Sequence, residues 1–140
     1  MKIVIDTNIV LDVLACREPF FEQSQAVMQL VAQNKVIGAI TASSITDIYY
    51  IMQKRLAKNE MKDALYGLME LLEIVDVTRK ECLAALDLPM SDYEDALLSC
   101  CAKNWGAECI VTRNTRDFSL SAVKALTPEH FLQLFLGDNI

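Results

Sequence analysis

Residues 1–14 read MKIVIDTNIVLDVL, and the fold is decided by where this stretch changes character. Met1 to Ile5 is a short apolar run of the kind buried on both faces of a parallel sheet. Asp6-Thr7-Asn8 ends it abruptly, after which Ile9, Val10, Val13 and Leu14 recur at helical spacing. The stretch is therefore strand, turn and helix, with an acid at the carboxyl end of the strand. Open α/β sheets bind ligands at that end. A carboxylate buried there is costly unless a positive charge is held against it. A divalent cation, which takes oxygen ligands, is the usual solution. The question becomes which other carboxylates the fold brings to Asp6.

Outward from this stretch, strands and helices alternate. Glu22 to Gln33 carries Ala26, Val27, Leu30 and Val31 on one stripe, which predicts a helix. Val36 to Ile40 is a buried strand, Ser43-Ser44 opens a helix, and Met61 to Leu72 is helical again. Ile74 to Val77 is a third strand, Lys80 to Leu86 a short helix, and Ser91 to Asn104 a longer one stopped by Gly106. Cys109 to Thr112 is a fourth strand, Asn114 to Phe118 a polar loop, and Val123 to Leu126 a fifth strand. Thr127 caps a last helix with Pro128 at its first position. This order implies an α/β fold, a central parallel sheet of four to five strands covered by helices on both faces. With no repeat or linker, residues 1–140 read as one domain.

The bulk numbers narrow the class. A 53% hydrophobic content excludes disorder, and the net charge of −6 gives no overall basic character. A nucleic-acid partner would therefore need a local basic face or metal ions as intermediaries. Five cysteines without CxxC or Cys/His spacing read as free thiols, as expected in a cytoplasmic protein. Asp6 and Asp12 interrupt the N-terminal apolar run, so it is no signal peptide, and no stretch approaches the roughly 20 apolar residues of a membrane span.

Three further acids fall at element boundaries: Asp47, Asp95 with nearby Asp92, and Asp117. All could gather at one edge of the sheet. Each also has a plainer reading. Ser44 with Asp47, and Ser91 with Glu94, fit capping boxes, and Asp117 could brace a turn. Asp95 lies one residue beyond its capping pair, and Asp6 is the acid hardest to explain structurally. The lone histidine, His130, reads as structural.

The stretches IVIDTNIVLDVL (3–14), ASSITDIYYI (42–51), SDYEDALLSCCAK (91–103), IVTRNTRDF (110–118) and TPEHFL (127–132) resemble those of the PIN domains, a family of metal-dependent ribonucleases. The resemblance covers essentially the whole chain and implies a three-layer α/β/α sandwich. It also implies that Asp6, Asp47, Asp95 and Asp117 form an acidic pocket holding one or two Mg²⁺ or Mn²⁺ ions. Asn8 and Thr112 would support that pocket by hydrogen bonds. Two positions depart from the family pattern. Asp47 stands where Glu is common, and Asn114 where many relatives carry Asp; the amide can still coordinate through its oxygen but adds no charge. Arg113 and Arg116 flank the expected pocket as candidate RNA contacts. Arg17, Lys54, Arg55 and Lys58 are further candidates, although the Lys54, Arg55 and Lys58 run on the second long helix also reads as a solvated face; Tyr49, Tyr50 and Tyr93 could stack on bases but also read as core or interface residues. Many relatives are toxins with a small antitoxin partner, often homodimeric, and Tyr50, Met52, Leu56, Met61, Leu65 and Met69 could make such a surface, although core packing accounts for most of them. The competing class is a PIN-fold RNA- or protein-binding module with weak or no catalysis, which Asp47 and Asn114 favour. A receiver-like phosphoryl-transfer domain with Asp6 as acceptor lacks the required second aspartate and lysine.

Overall fold

The computed structural model describes residues 1–138. Strand β1 (Lys2–Ile5) runs through the middle of a five-stranded, all-parallel sheet. On one side lie β2 (Ile37–Thr41) and then β3 (Glu73–Val75); on the other lie β4 (Cys109–Val111) and then β5 (Ala125–Leu126). The chain leaves β1 for one half of the sheet and returns to its other flank. That reversal places a topological switch point beside β1, where the carboxyl ends of neighbouring strands open a crevice.

Strand alternation sorts the core into two layers. Ile3 and Ile5 face one side and Val4 the other, all three fully buried. Burying each such side chain stabilises the fold by about 1.5–3 kcal/mol. On the Ile3/Ile5 face pack α1 (Thr7–Leu14), α2 (Phe21–Ala32), α3 (Ala42–Met52), α4 (Lys58–Leu71) and α7 (Pro128–Asp138), through Val10, Val27, Ile48, Met61 and Phe131. On the opposite face α6 (Tyr93–Trp105) sets Leu98 and Ala102 against Val4 and Ile110. Helix α5 (Arg79–Leu86) packs on α6 through Ala85. The result is the expected three-layer α/β/α sandwich, with the strand count at the upper expected value.

Local chemistry sets several boundaries. Gly106 takes a left-handed φ of 87° and ends α6, as its position after Trp105 predicts. Gly38 lets β2 and α2 approach closely, since a Cβ there would stand 2.7 Å from Val31 Cγ2 and 3.1 Å from Leu72 Cδ2. Thr127 caps α7, its Oγ1 accepting from the His130 amide at 3.1 Å.

Both predicted capping boxes are corrected. The cap of α3 is Thr41, so Ser44 lies inside the first turn and Asp47 beyond it. In α6 the cap is Asp92, not Ser91, and it accepts from the Asp95 amide at 3.0 Å. The predicted polar loop after β4 contains a 3-10 turn, η1 (Thr115–Phe118), because Phe118 must reach the core. Of the residues that core packing or a partner surface could claim, Met52 and Met61 are in the core with 1% and 2% exposure, whereas Tyr50 and Met69 lie on the surface. All five cysteines are free; Cys100, Cys101 and Cys109 are buried and Cys16 is exposed. No helix among the described residues is long and apolar enough to cross a membrane.

Candidate active site

Asp6 follows β1 directly and caps α1. Its Oδ1 accepts from the Thr7 amide at 2.8 Å, so the acid has a structural task at the positive end of a helix. The second oxygen has a different partner. Thr112, fully buried just past β4, donates its hydroxyl to Asp6 Oδ2 at 2.7 Å. The Asp6 amide donates to Val111 O at 2.9 Å, so β1 and β4 deliver the carboxylate and its hydroxyl partner together.

Around Asp6 opens a cleft of about 460 Å³ lined by Asp47 from α3, Glu94 and Asp95 from α6, Asn8 from α1, and Asn114. Its lining contains four carboxylates and, among the described residues, no lysine or arginine. One wall is made of hydroxyls: Thr7 Oγ1 donates to Ser44 Oγ at 2.9 Å, and Thr41 Oγ1 lies 3.0 Å from both Ser43 Oγ and Ser44 Oγ. Another is apolar, with Tyr50, Ile51, Tyr93 and Leu97. The Tyr93 hydroxyl donates to Cys82 O at 2.8 Å, and Lys54 Nζ stands 5.7 Å from the Tyr50 ring centre.

Crowding of like charge is visible in the acids themselves. Burial pushes the Asp6 carboxyl above the ordinary carboxylate range, against the bonds from Thr112 and Thr7 and the charge of Arg113, which pull it down. The charge of Asp47 raises Glu94, with burial second. Asp95 is pushed up to about 7, by burial first and then by the charges of Asp92, Asp6, Asp117 and Glu94. A bound cation would reverse each of these shifts.

The donor set suits a hard divalent cation, since carboxylate and amide oxygens are what Mg²⁺ and Mn²⁺ prefer. Asn8 supplies the most direct indication: its buried Oδ1 has no hydrogen-bond partner, a position that costs free energy unless something else satisfies the oxygen. As the side chains are placed, no three of His, Cys, Asp or Glu among the described residues converge closely enough to enclose an ion. Binding therefore requires side-chain rotation, which the partly exposed Asp47 and Asp95 have room to make.

The other expected site residues divide. Asn114 lines the cleft, its amide donating to Thr112 Oγ1 at 3.0 Å. Asp117, exposed on η1, does not line it but lies near enough for its charge to raise Asp6 and Asp95. Arg116 is exposed on the same turn. Arg113 is placed differently from the expectation of a free RNA contact. It forms an ion pair with Asp12, Nε to Oδ2 at 2.9 Å and Nη2 to Oδ1 at 3.2 Å, and its guanidinium covers the Phe20 ring at 4.0 Å. Lys54 and Arg55 lie in the loop after α3 rather than on a helix. His130 lines a separate cleft with Phe20 and Arg113. Sequence reasoning missed Glu94 as a lining residue, having assigned it to a cap. It also missed the Thr41–Ser43–Ser44 hydroxyls, whose signal was two serines directly after an apolar strand.

A family model described as the PIN domain matches residues 2–116. The chain is 26% identical over 137 residues to the protein called Ribonuclease VapC1 from Aquifex aeolicus (strain VF5), covering 94% of each. Among solved structures it superimposes on VapBC2 from Rickettsia felis, bound to a DNA fragment from its promoter, with a TM-score of 0.71 at 19% identity, covering 91% of this chain and 98% of that one. A toxin–antitoxin complex from Klebsiella pneumoniae gives 0.68 at 18% identity, covering 89% and 96%.

Proposed function

The chain belongs to the PIN domain family, and from that premise we propose that it is a divalent-metal-dependent ribonuclease, a single domain over residues 1–140, acting as the toxin of a toxin–antitoxin pair. The observation that carries this reading is the cleft at the switch point, lined by four carboxylates and by Asn8, whose buried amide oxygen is unpartnered, with no lysine or arginine among its described lining residues. Ribonuclease is the name of a relative matched over nearly the whole chain, and a toxin–antitoxin complex has the same fold.

Asp6 and Asp95 are the principal ligands for Mg²⁺ or Mn²⁺, with Asp47 and Asp117 completing the shell directly or through water, and the Asn8 and Asn114 oxygens as further donors. Bound there, the metal supplies Lewis acidity, activating a water and absorbing charge on the phosphodiester. The chain's own groups arrange this. Thr112 and the Thr7 amide, each donating to a different Asp6 oxygen, fix the orientation of the carboxylate. The wall of Tyr50, Ile51 and Leu97 limits water on one side of the cleft. No side-chain nucleophile is needed, and His130 stands in a different cleft. Arg116, exposed on η1 beside Asp117, is a candidate cation to meet a phosphate. A small antitoxin and a second copy of the chain are the protein partners of this reading, and the cytoplasm is its compartment.

The test compares wild type with Asp6→Asn on a mixed panel of RNAs in Mn²⁺ or Mg²⁺ and in EDTA. Metal-requiring cleavage that disappears in the variant is the expected result. Equal cleavage by both proteins would refute it. The second reading, a binding module with weak or no catalysis, is favoured by the splayed carboxylates and by Asp47 and Asn114. Mn²⁺ affinity separates the two, since a module without a working site binds the ion poorly.

A further inference from the structure

The pair that removes Arg113 from the list of RNA contacts has its own consequence. We propose that Arg113 and Asp12 are the positioning residues of the acidic cleft: by pinning the corner after β4 to α1, they hold the Thr112 hydroxyl on Asp6. The inference rests on the metal-site reading above and names what orients that site.

Asp12 lies on α1, six residues after Asp6, and is fully buried. It accepts two bonds from Arg113 and a third from Ser24 Oγ at 3.2 Å. This is the one ion pair among the described residues. Its Asp12 end is fully buried and its Arg113 side chain 25% exposed, and at the buried end apolar residues of similar size often serve a core as well as an ion pair does. What a bidentate guanidinium–carboxylate pair adds is a fixed distance and angle. The Phe20 ring against the guanidinium restricts it further.

That fixed geometry matters because of what flanks Arg113. Strand β4 ends at Val111, and past it the ladder supplies only the Thr112 amide bond to Leu126 O. Thr112 gives its hydroxyl proton to Asp6, and the same oxygen accepts from the Asn114 amide. The two residues beside Arg113 thus serve the site, one by binding Asp6 and the other by orienting that bond. Arg113 between them is fastened to the helix that Asp6 caps. With the pair removed, the corner is held at its ends but not at its centre, and the hydroxyl loses its defined direction. Groups that orient metal ligands typically change metal affinity by about 10–100-fold when mutated.

The experiment uses the full chain with Arg113→Lys and the double variant D12L/R113M, which replaces the pair by apolar side chains. Three quantities are read: the urea unfolding midpoint, Mn²⁺ affinity by calorimetry without RNA, and hydrogen exchange at the Asn114 amide in metal-free protein. The double variant is expected to stay folded with a lowered midpoint, because the buried Ser24 hydroxyl loses its acceptor, to bind Mn²⁺ at least about tenfold more weakly and to exchange the Asn114 amide faster. Arg113→Lys, which keeps the charge but not the fork, is expected to fall between. Wild-type Mn²⁺ affinity together with wild-type Asn114 exchange in folded variants would overturn the proposal. Should the double variant fail to fold, Arg113→Lys decides by the same two readings. Should wild type itself fail to bind Mn²⁺, the metal-site reading falls, while Asn114 exchange still decides whether the pair positions the corner.

Discussion

Replacing Thr112 by valine preserves its shape in a fully buried position and deletes one oxygen. Two hydrogen bonds go with it: the 2.7 Å donation to Asp6 Oδ2 and the 3.0 Å acceptance from the Asn114 amide. A bond to an ionised group contributes about 1.5–3 kcal/mol and one between neutral groups about 1 kcal/mol. Only the first share depends on the charge of Asp6. The Thr112 bond lowers the folded-state pKa of Asp6, which burial has raised above 3.8. Removing the bond raises that pKa further, so the difference between variant and wild type grows as pH rises through it. Well below the ordinary 3.8, Asp6 is protonated in both proteins and its bond from Thr112 counts as a neutral one. Metal-free Thr112→Val should therefore lose about 3–4 kcal/mol at pH 8 and about 2 kcal/mol near pH 2.5. Urea unfolding followed by Trp105 fluorescence measures both. Thr112→Ser, which keeps the hydroxyl, should lose about 1 kcal/mol for the missing methyl at either pH. An equal loss by Thr112→Val at the two pH values would show that the hydroxyl does not serve an ionised Asp6, and the reasoning would fail.

The crowded Asp95 gives the opposite sign. Its folded pKa, about 7, exceeds the unfolded 3.8, so its charge destabilises the fold increasingly as pH rises between those values. Asp95→Asn should stabilise the metal-free protein by about 1 kcal/mol at pH 8, after discounting for solvent screening, and by nothing near pH 3.8. Thermal unfolding across that range checks it. Saturating Mn²⁺ should raise the Tm of wild type and leave that of Asp6→Asn unmoved, as differential scanning fluorimetry will read. Gly38→Ala should cost about 1–3 kcal/mol in urea unfolding, because its new methyl meets the stiff Val31 side chain at 2.7 Å. Phe131→Ala, which empties the core site under α7, should cost about 3–5 kcal/mol in the same assay.

Much of this architecture was legible in periodicity. The apolar run before Asp6, the stripe on α2 and the Gly106 stop each follow from one local rule. So does the placing of Asp6 at the carboxyl edge of the sheet, since it directly follows β1, whereas Asp47 and Asp95 reach the cleft from helices. Other features needed the fold. Ser44 and Ser91 both satisfy a capping pattern, and only the true helix starts decide that Thr41 and Asp92 take the role. Arg113 read as a phosphate contact because a cation beside an acidic pocket suggests one. Its partner Asp12 is 101 residues away, on a helix whose acid reads locally as an interruption of an apolar face. Glu94 and Asp95, neighbours on the first turn of α6, line the same cleft, a consequence of how α6 meets the sheet rather than of their spacing.

The central place of β1 in the sheet also orders events in time. The chain makes Asp6 almost first and Thr112 106 residues later. Until β4 has emerged, Asp6 has neither its hydroxyl partner nor Val111 to bond its amide, and Asp12 has no guanidinium. A growing chain on the ribosome can therefore hold six of its helices and all four acids of the cleft without the hydroxyl that orients Asp6. The middle strand of the sheet thus ties completion of the site to β4, one of the last elements of the chain to be made.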